Sequence, residues 1–170
     1  MSLAFCPVKY QTQDVSAAMH DRPRRMDATP DPRPTGDIPP ATPPRVLVVD
    51  DESTIRFALR RFFTRLGFEV EEAGDGDRAL EMIIEDRSQR VIPPYSLVLS
   101  DLRMPGLSGI ELHDRIEKEY PEVLSRLVFS TGDLVSEEAA DFARDTSCEI
   151  IEKPFEFSKL RATVDRIMGR

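Results

Sequence analysis

The stretch "RVLVVDDE", Arg45 to Glu52, runs four apolar residues into a pair of aspartates. Val46 to Val49 is a largely β-branched run, with the length and hydrophobicity of a strand that is buried on both faces. Strands of this kind occur in parallel sheets that are covered by helices on both sides. The stretch therefore predicts a central parallel strand that ends at Asp50 and Asp51.

The same pattern repeats to the end of the sequence, with short apolar runs alternating with amphipathic segments. The predicted strands cover residues 46–49, 68–70, 97–99, 127–129 and 150–151. The predicted helices cover residues 55–66, 77–86, 110–120 and 136–144, and the last has an apolar stripe over 157–168. Gly67 is predicted to end the first helix, and Leu80, Ile83 and Ile84 to point inward from the second. Five strands alternating with five helices indicate an α/β fold with one parallel sheet, because each helix returns the chain to the same edge.

Residues 1–44 have a different composition from the rest of the sequence. They hold nine of the 14 prolines and carry five basic and five acidic groups, so the net charge of -8 comes entirely from residues 45–170. A stretch of this kind buries too little apolar surface to offset its ordering entropy. We expect residues 1–44 to be a disordered Pro-rich tail or linker, and residues 45–170 to form one domain. For the arginines at 22, 24 and 25, a contact site for an acidic partner is the alternative to a solvated tail.

Charge, cysteine usage and hydropathy exclude several classes of protein. An acidic domain has no electrostatic footprint for phosphate backbones, so direct nucleic-acid binding is not expected. Cys6 and Cys148 lie far apart in the sequence without metal-binding spacing, which favours free thiols in a reducing compartment. No segment approaches the ~20 apolar residues of a membrane span. We therefore expect a cytoplasmic protein that does not bind membranes.

Polar residues follow four of the predicted strands directly or within two residues. They are Asp50 with Asp51, then Asp101, Thr131 and Lys153. In a parallel sheet these residues converge at the carboxyl edge, where open α/β sheets place their ligand sites. Each residue taken alone also fits a helix cap, an ordinary turn or a strand exit. Their occurrence together, in this order, favours one site.

Three aspartates at one sheet edge would repel one another unless their pKa values rise or a cation binds. With no His or Cys nearby in the sequence, the donors are hard oxygens, which favours Mg²⁺, with Mn²⁺ as an alternative. Magnesium commonly completes its octahedron with phosphate oxygens. Thr131 and Lys153 offer a hydroxyl and an ammonium to a transferring phosphoryl group, and a carboxylate can act as its nucleophile.

The stretches "RVLVVDDE", "LVLSDLRMPGLSG", "VFSTGD" and "IEKPF" resemble the motif set of the response-regulator receiver domains of two-component signalling. They occur in the same order and spacing, and the resemblance covers about residues 45 to 168. It implies a flavodoxin-like (βα)5 three-layer sandwich, with a parallel five-stranded sheet in the order 2-1-3-4-5.

The resemblance also implies roles for the polar residues. Asp101 would be the phosphoacceptor, and Asp51, Asp101 and the backbone carbonyl of Arg103 would bind Mg²⁺, with Asp50 assisting through water. Thr131 would be the switch hydroxyl and Lys153 would pair with a phosphoryl oxygen. The family typically has a cis bond at the position of Lys153-Pro154.

On this interpretation, a sensor histidine kinase or a histidine phosphotransfer protein donates the phosphoryl group from a phosphohistidine. The domain itself catalyses the transfer and slowly hydrolyses the acyl phosphate, and it has no other enzyme activity. Phosphorylation then shifts the population toward a conformation in which Thr131 turns inward and the face formed by the fourth strand, fourth helix and fifth strand changes.

Two details concern how such a domain would signal. Many receivers carry Tyr or Phe three residues before the lysine, but this sequence has Ile150, so we do not expect an aromatic switch at that position. Arg103 and Asp133 lie two residues past the aspartate and the threonine. We expect them to form an ion pair across the site that slows the access of water to the acyl phosphate; two exposed charges with almost no effect are the alternative.

Other interpretations remain open at this point. A haloacid-dehalogenase-like phosphohydrolase also uses an aspartate nucleophile and Mg²⁺, but it needs a second aspartate where this sequence has Arg103. No DNA-binding or catalytic domain follows Arg170, so we expect a single-domain regulator that acts on an unknown downstream protein, with a homodimer possible in principle. The alternative is a receiver module cut from a hybrid histidine kinase or a larger regulator. The sequence has no kinase dimerisation helix or ATP-binding motif, so we expect no kinase activity.

Overall fold

The structure of the protein is a computed structural model that describes residues 42–88 and 94–169. The predicted Pro-rich tail lies outside these residues except for its last three positions, and Cys6 lies outside them as well. Cys148 is a half-buried free thiol, as predicted, and burial raises its pKa. No helix of the described residues is both long and apolar enough to cross a lipid bilayer.

Five strands and five α-helices alternate along the described part of the chain. The strands are β1 (Arg45–Val49), β2 (Glu69–Ala73), β3 (Tyr95–Asp101), β4 (Leu127–Thr131) and β5 (Glu149–Glu152). The helices are α1 (Ser53–Arg65), α2 (Gly76–Ser88), α3 (Gly109–Glu119), α4 (Glu137–Asp145) and α5 (Phe157–Ile167). All pairings are parallel, and the sheet order is β2-β1-β3-β4-β5. The predicted fold class and strand order are confirmed.

The sheet is covered on both faces, which makes three layers. Successive residues of β1 face opposite sides: Leu47 and Val49 belong to a core that contains residues of α2, α3 and α4. Val46 and Val48 belong to a second core that contains residues of α1 and α5. All five residues of β1 are buried, so the apolar run that predicted a doubly covered strand lies at the centre of the molecule.

The third and fourth strands extend further than the apolar pattern predicts. In register, Asp101 of β3 lies opposite Ser130 of β4, and Thr131 of β4 lies opposite Glu152 of β5. Backbone pairing with a neighbouring strand extends β3 and β4 as far as these functional residues. The polarity of the residues does not indicate such pairing. The carboxyl edge therefore presents Asp101 and Thr131 from ordered strand backbone.

One predicted core residue is wrong. Ile84 of α2 is 41% exposed, while Ala79, Met82 and Ile83 are buried. Asp86 occupies the same buried stripe, because it accepts hydrogen bonds from Arg45 and from the backbone N–H of Tyr95. This orientation of the helix turns Ile84 to the surface. A 3₁₀ helix at Pro121–Arg126, between α3 and β4, was also not predicted.

The end of α1 confirms the predicted role of Gly67. This glycine has φ of 84°, a left-handed conformation that costs glycine little. The N–H of Phe68 donates to the carbonyl of Phe63 at 3.1 Å, and the two rings lie 5.6 Å apart. Together these contacts form a Schellman motif, which stops the helix and directs the chain into β2.

Candidate functional site

The predicted site residues meet at the carboxyl edge of the sheet. Asp50 directly follows β1, Asp101 and Thr131 are the last residues of β3 and β4, and Lys153 directly follows β5. The Lys153-Pro154 bond is cis, as the resemblance implies. Four neighbouring strands therefore contribute one side chain each to the same small region.

Lys153 links the two buried aspartates. Its Nζ donates to Asp50 Oδ2 at 2.8 Å and to Asp101 Oδ2 at 2.7 Å. Asp50 and Asp101 are only 1% and 7% exposed, so the ammonium supplies charge compensation that water does not. These bonds also hold the strand ends of β1 and β3 against the chain that leaves β5.

The carboxylates outnumber this single cation. Asp50, Asp51 and Asp101 each offer an oxygen, and these atoms lie within 4.8 Å of one another. Three carboxylates and one ammonium give a formal charge of -2. Asp51 is exposed, which leaves the cluster open to solvent on one side. A set of hard oxygen donors with excess negative charge fits a divalent cation such as Mg²⁺.

The environment shifts the pKa values of both partners in the main ion pair. Burial raises the pKa of Asp101 above its usual range, and the nearby Asp50 adds to this effect, while the bond from Lys153 acts against it. For Lys153, burial acts to lower the pKa, but the bonds to Asp101 and Asp50 outweigh burial and raise it. Lys153 therefore stays charged, and Asp101 carries its negative charge at an energetic cost.

Thr131 is buried beside these residues and is held by the loop that follows it. Its Oγ1 accepts a hydrogen bond from the N–H of Asp133 at 3.1 Å. Its carbonyl accepts from the N–H of Lys153 at 2.7 Å. The threonine thus connects the loop before α4 to the residue that binds both aspartates.

Arg103 lies at the rim of the site. Its backbone N–H is 3.5 Å from Asp101 Oδ1, and its side-chain Nη1 is 3.4 Å from Asp133 Oδ2. The predicted ion pair between Arg103 and Asp133 is therefore present, and both side chains are about half exposed. It spans the loops that follow β3 and β4.

Two residues that support the site were missed in the sequence. Arg56 donates from Nη1 to the carbonyls of Asp50 and Asp51 at 2.6 and 3.1 Å, which fixes the backbone of the acidic pair. A Cβ at Gly109 would lie only 2.2 Å from the carbonyl oxygen of Asp101, so α3 can start against the strand end only with glycine. Arg56 is a basic residue in the first turn of the helix that follows the acidic pair, and this position was a signal for its supporting role. The sequence contained no comparable signal for the role of Gly109.

Comparisons with known proteins agree with this geometry. A sequence model of the family described as response regulator receiver domain matches residues 46–165. The response regulator MprA of Mycobacterium leprae is 36% identical over 126 residues, which are 74% of this chain and 51% of that protein. The chain thus spans about half the length of the curated relatives that it matches.

Solved structures show the same likeness. A response regulator receiver domain protein from Clostridium thermocellum is 25% identical with a TM-score of 0.64, over 75% of this chain and 95% of that one. The response regulator TrrA of Thermotoga maritima, solved in complex with Mg²⁺-BeF, is 30% identical with a TM-score of 0.60 over 73% and 98% of the two chains. This chain belongs to the response-regulator receiver domain family.

Proposed function

We propose that Asp101 accepts a phosphoryl group from a phosphohistidine, and that the phosphorylated domain signals by a change of conformation. The observation that carries the proposal is the bridge from Lys153 to Asp50 and Asp101, within a cluster of three carboxylates and one ammonium. Membership of the receiver family supports it. The haloacid-dehalogenase-like alternative has no support in that membership or in the position of Arg103.

Mg²⁺ would be held by Asp51, Asp101 and the backbone carbonyl of Arg103, with Asp50 assisting through water. Bound there, it supplies charge neutralisation for the attacking carboxylate and for the phosphoryl oxygens. The donor set of the cluster supports this ion, and the related TrrA was solved with Mg²⁺-BeF. Mn²⁺ prefers similar ligands and is the alternative.

The residues of this chain then divide the transfer between them. A carboxylate oxygen of Asp101 attacks the phosphorus, and the P–N bond to the donor imidazole breaks. The ring nitrogen keeps the electron pair of that bond and takes up a proton from solvent. Lys153 exchanges its bond to Asp101 for one to a phosphoryl oxygen. Thr131 gives up its bond from the N–H of Asp133 and donates its hydroxyl to a second oxygen. Later attack by water on the phosphorus releases phosphate and restores the Asp101 carboxylate.

Movement of Thr131 would provide the signal. Its hydroxyl is now bonded to the loop that leads into α4, so its turn toward the phosphoryl group would release that loop. Ile150 is half-buried and packs against the core on the α4 side. It has no ring to move, so the loop and α4 would carry the output.

The donor would be a sensor histidine kinase or a histidine phosphotransfer protein that docks beside the site. α1 and α5 both begin at the carboxyl edge, and Phe57 and Phe157 are 60% and 45% exposed there. With Phe62, Arg61 and Arg65 they line a shallow groove of about 380 Å³. Exposed aromatic side chains next to a reaction centre favour a protein partner.

The downstream partner is a further protein, and we propose that the domain works in the cytoplasm and binds neither nucleic acid nor membranes directly. The acidic charge of residues 45–170 supports this proposal. The expectation of a single-domain regulator has no support in the comparisons, because the curated relatives are about twice as long as the matched region.

The identity of the phosphoacceptor is tested by incubating the full chain with acetyl phosphate and Mg²⁺ and measuring the mass of the intact protein by mass spectrometry. We expect one added phosphoryl mass in the wild type and none in Asp101→Asn or after chelation of the metal. Failure of the wild type to form the adduct, together with failure to bind beryllofluoride, would contradict the proposal. An adduct that persists in Asp101→Asn would move the acceptor to another residue.

The donor surface is tested separately. Phe57→Ser should slow phosphoryl transfer from a panel of phosphorylated histidine phosphotransfer domains by about tenfold, and leave transfer from acetyl phosphate unchanged. Ile84→Ser, which removes an exposed apolar side chain from α2, is the matched control and should slow neither reaction. Equal loss with both donors would place the effect of Phe57 in the reaction site itself.

A further inference from the structure

Helices α3 and α4 border a groove that the phosphoryl-transfer proposal does not use. Its volume is about 730 Å³. Ile110, His113 and Phe142 contribute rings and apolar surface to it, and Phe142 meets the His113 ring edge-on at 5.0 Å. None of the residues assigned to the phosphoryl-transfer site lines this groove.

The rim of the groove carries charge of one sign. Its lining contains six carboxylates and no Lys or Arg: Asp114, Glu117, Glu137, Glu138, Asp141 and Asp145. Asp141 pairs with Arg144, and Asp114 approaches only a histidine. Over residues 42–88 and 94–169, the other four make no ion pair. Uncompensated negative charge around an apolar floor favours a cationic ligand.

His113 adds an independent observation. It is 7% exposed, and its Nε2 lies 3.1 Å from Thr146 Oγ1, which also accepts the N–H of Cys148. Nδ1 is buried and has no hydrogen-bond partner among the described residues; the nearest carboxylate oxygen, on Asp114, is 3.6 Å away. A buried ring nitrogen without a partner is costly, and here it lies beside a carboxylate that faces the groove.

We propose that this groove docks a cationic amphipathic helix of a partner protein. Apolar side chains of that helix would pack on Ile110 and Phe142, and its Lys and Arg side chains would pair with the rim. One basic side chain of the helix would pair with the exposed carboxylate of Asp114, beside the His113 ring. Helix-in-groove recognition of this kind depends on apolar anchors with charges around them.

Other ligands fit the groove less well. A bound metal ion needs three donors close together, and in the described residues only Asp50, Asp51 and Asp101 meet that condition. A nucleic acid would be repelled by the six carboxylates. A small polyamine could meet the charges but would leave the apolar floor uncovered, whereas a helix covers both.

The test uses the full chain and a fluorescein-labelled synthetic helix with Leu on one face and Lys and Arg on the other. Fluorescence anisotropy at near-physiological salt gives the affinity, so that long-range attraction is screened. Glu138→Lys combined with Asp145→Lys should weaken binding by about tenfold or more. Glu69→Lys combined with Glu85→Lys changes the net charge equally at exposed sites outside the groove and should weaken binding less than about twofold.

Three results would overturn the proposal. Equal loss in the two double variants would mean attraction to net charge alone. Unchanged affinity when the Leu residues of the probe are replaced by Ser would remove the apolar floor from the interaction. Tighter binding after Arg22, Arg24 and Arg25 are changed to Ser would assign the groove to the chain's own arginines. Changes in amide chemical shifts that map to α3 and α4 in NMR spectra would support the proposal. Neither the affinity measurement nor the NMR mapping depends on Asp101.

Discussion

Two clusters of charged side chains lie at opposite ends of the central strands, and they differ in how completely their charges are satisfied. The amino-end cluster consists of Arg45, Glu71, Asp86 and Tyr95, and the carboxyl-end cluster of Asp50, Asp51, Asp101 and Lys153. Each contains one cation. The first has two carboxylates, for a formal charge of -1, and the second has three, for -2.

In the amino-end cluster every carboxylate oxygen has a partner. Arg45 bonds one oxygen each of Glu71 and Asp86. Tyr95 bonds the other two, through its hydroxyl to Glu71 at 2.8 Å and through its N–H to Asp86 at 3.0 Å. The Arg45 guanidinium lies 4.3 Å from the centroid of the Tyr95 ring. Burial and the bond to Glu71 raise the pKa of the Tyr95 hydroxyl, so it stays a donor.

In the carboxyl-end cluster a single ammonium faces three carboxylates. Lys153 bonds one oxygen each of Asp50 and Asp101. Their other oxygens accept only backbone N–H groups, from Glu52 at 2.9 Å and from Arg103 at 3.5 Å, and Asp51 remains at the surface. Burial, with a contribution from the nearby Asp50, raises the pKa of Asp101, so its negative charge is held at an energetic cost. A saturated network stabilises the fold, whereas an undercompensated one holds negative charge in place for a cation and a phosphoryl group.

The largest expected effect comes from breaking the saturated cluster. Arg45→Met should lower the free energy of unfolding by about 3–5 kcal/mol, because it leaves Asp86 buried without its cation. Urea unfolding measures the change. Arg60→Met removes an exposed arginine that pairs with Glu72 and should cost no more than about 1 kcal/mol. Similar losses in the two variants would remove the contrast between buried and exposed pairs.

The second effect is stabilisation by the metal. At ten times its Kd, Mg²⁺ should raise the free energy of unfolding by about 1.4 kcal/mol, since it binds the folded chain alone. Thermal unfolding with Mg²⁺ and with chelator measures the difference. It should disappear in Asp51→Asn and persist in Arg60→Met. Stabilisation that survives Asp51→Asn would place the ion elsewhere.

The third effect concerns the charge on Asp101 without metal. Asp101→Asn should stabilise the metal-free fold by about 1 kcal/mol, because the pKa of Asp101 is raised in the folded chain and its ionised form is therefore unfavourable. Its proton binds more tightly in the folded state, so wild-type stability rises relative to the variant as pH falls through the raised pKa. The gap should be widest near neutral pH and narrow toward about pH 4. A difference in stability between the variant and the wild type that grows as the pH falls would contradict this prediction.

The smallest effect is expected at the rim of the carboxyl-end cluster. Arg103→Ala removes an exposed ion pair with Asp133 and should shorten the lifetime of the acyl phosphate by about two- to fivefold. The decay of the adduct, followed by mass spectrometry after removal of acetyl phosphate, measures it. Arg78→Ala breaks an exposed pair with Glu81 and should leave the lifetime unchanged. An unchanged lifetime in Arg103→Ala would show that the ion pair between Arg103 and Asp133 does not slow the access of water to the acyl phosphate.

Local patterns in the sequence were enough for the α/β fold class and for the residues of the main site, whereas the strand order came from the resemblance of the motifs to receiver domains. The apolar run at Val46–Val49 and its repeats predicted the strands, and the parallel sheet then brought Asp50, Asp101, Thr131 and Lys153 to one edge. These predictions succeed because the hydrophobic period of a segment, and the polar residue that follows it, depend only on residues that are close together in the sequence. The pair formed by Arg103 and Asp133 was also within reach, since both lie two residues beyond predicted site residues.

Only the tertiary structure decided which distant side chains share a bond. Arg45 and Asp86 are 41 residues apart and meet because α2 packs its last turn beside the start of β1. The same packing turned Ile84 outward. His113 and Thr146 meet 33 residues apart where α3 lies next to the end of α4. The angle and rotation of packed helices set these contacts, and helix period alone does not specify them.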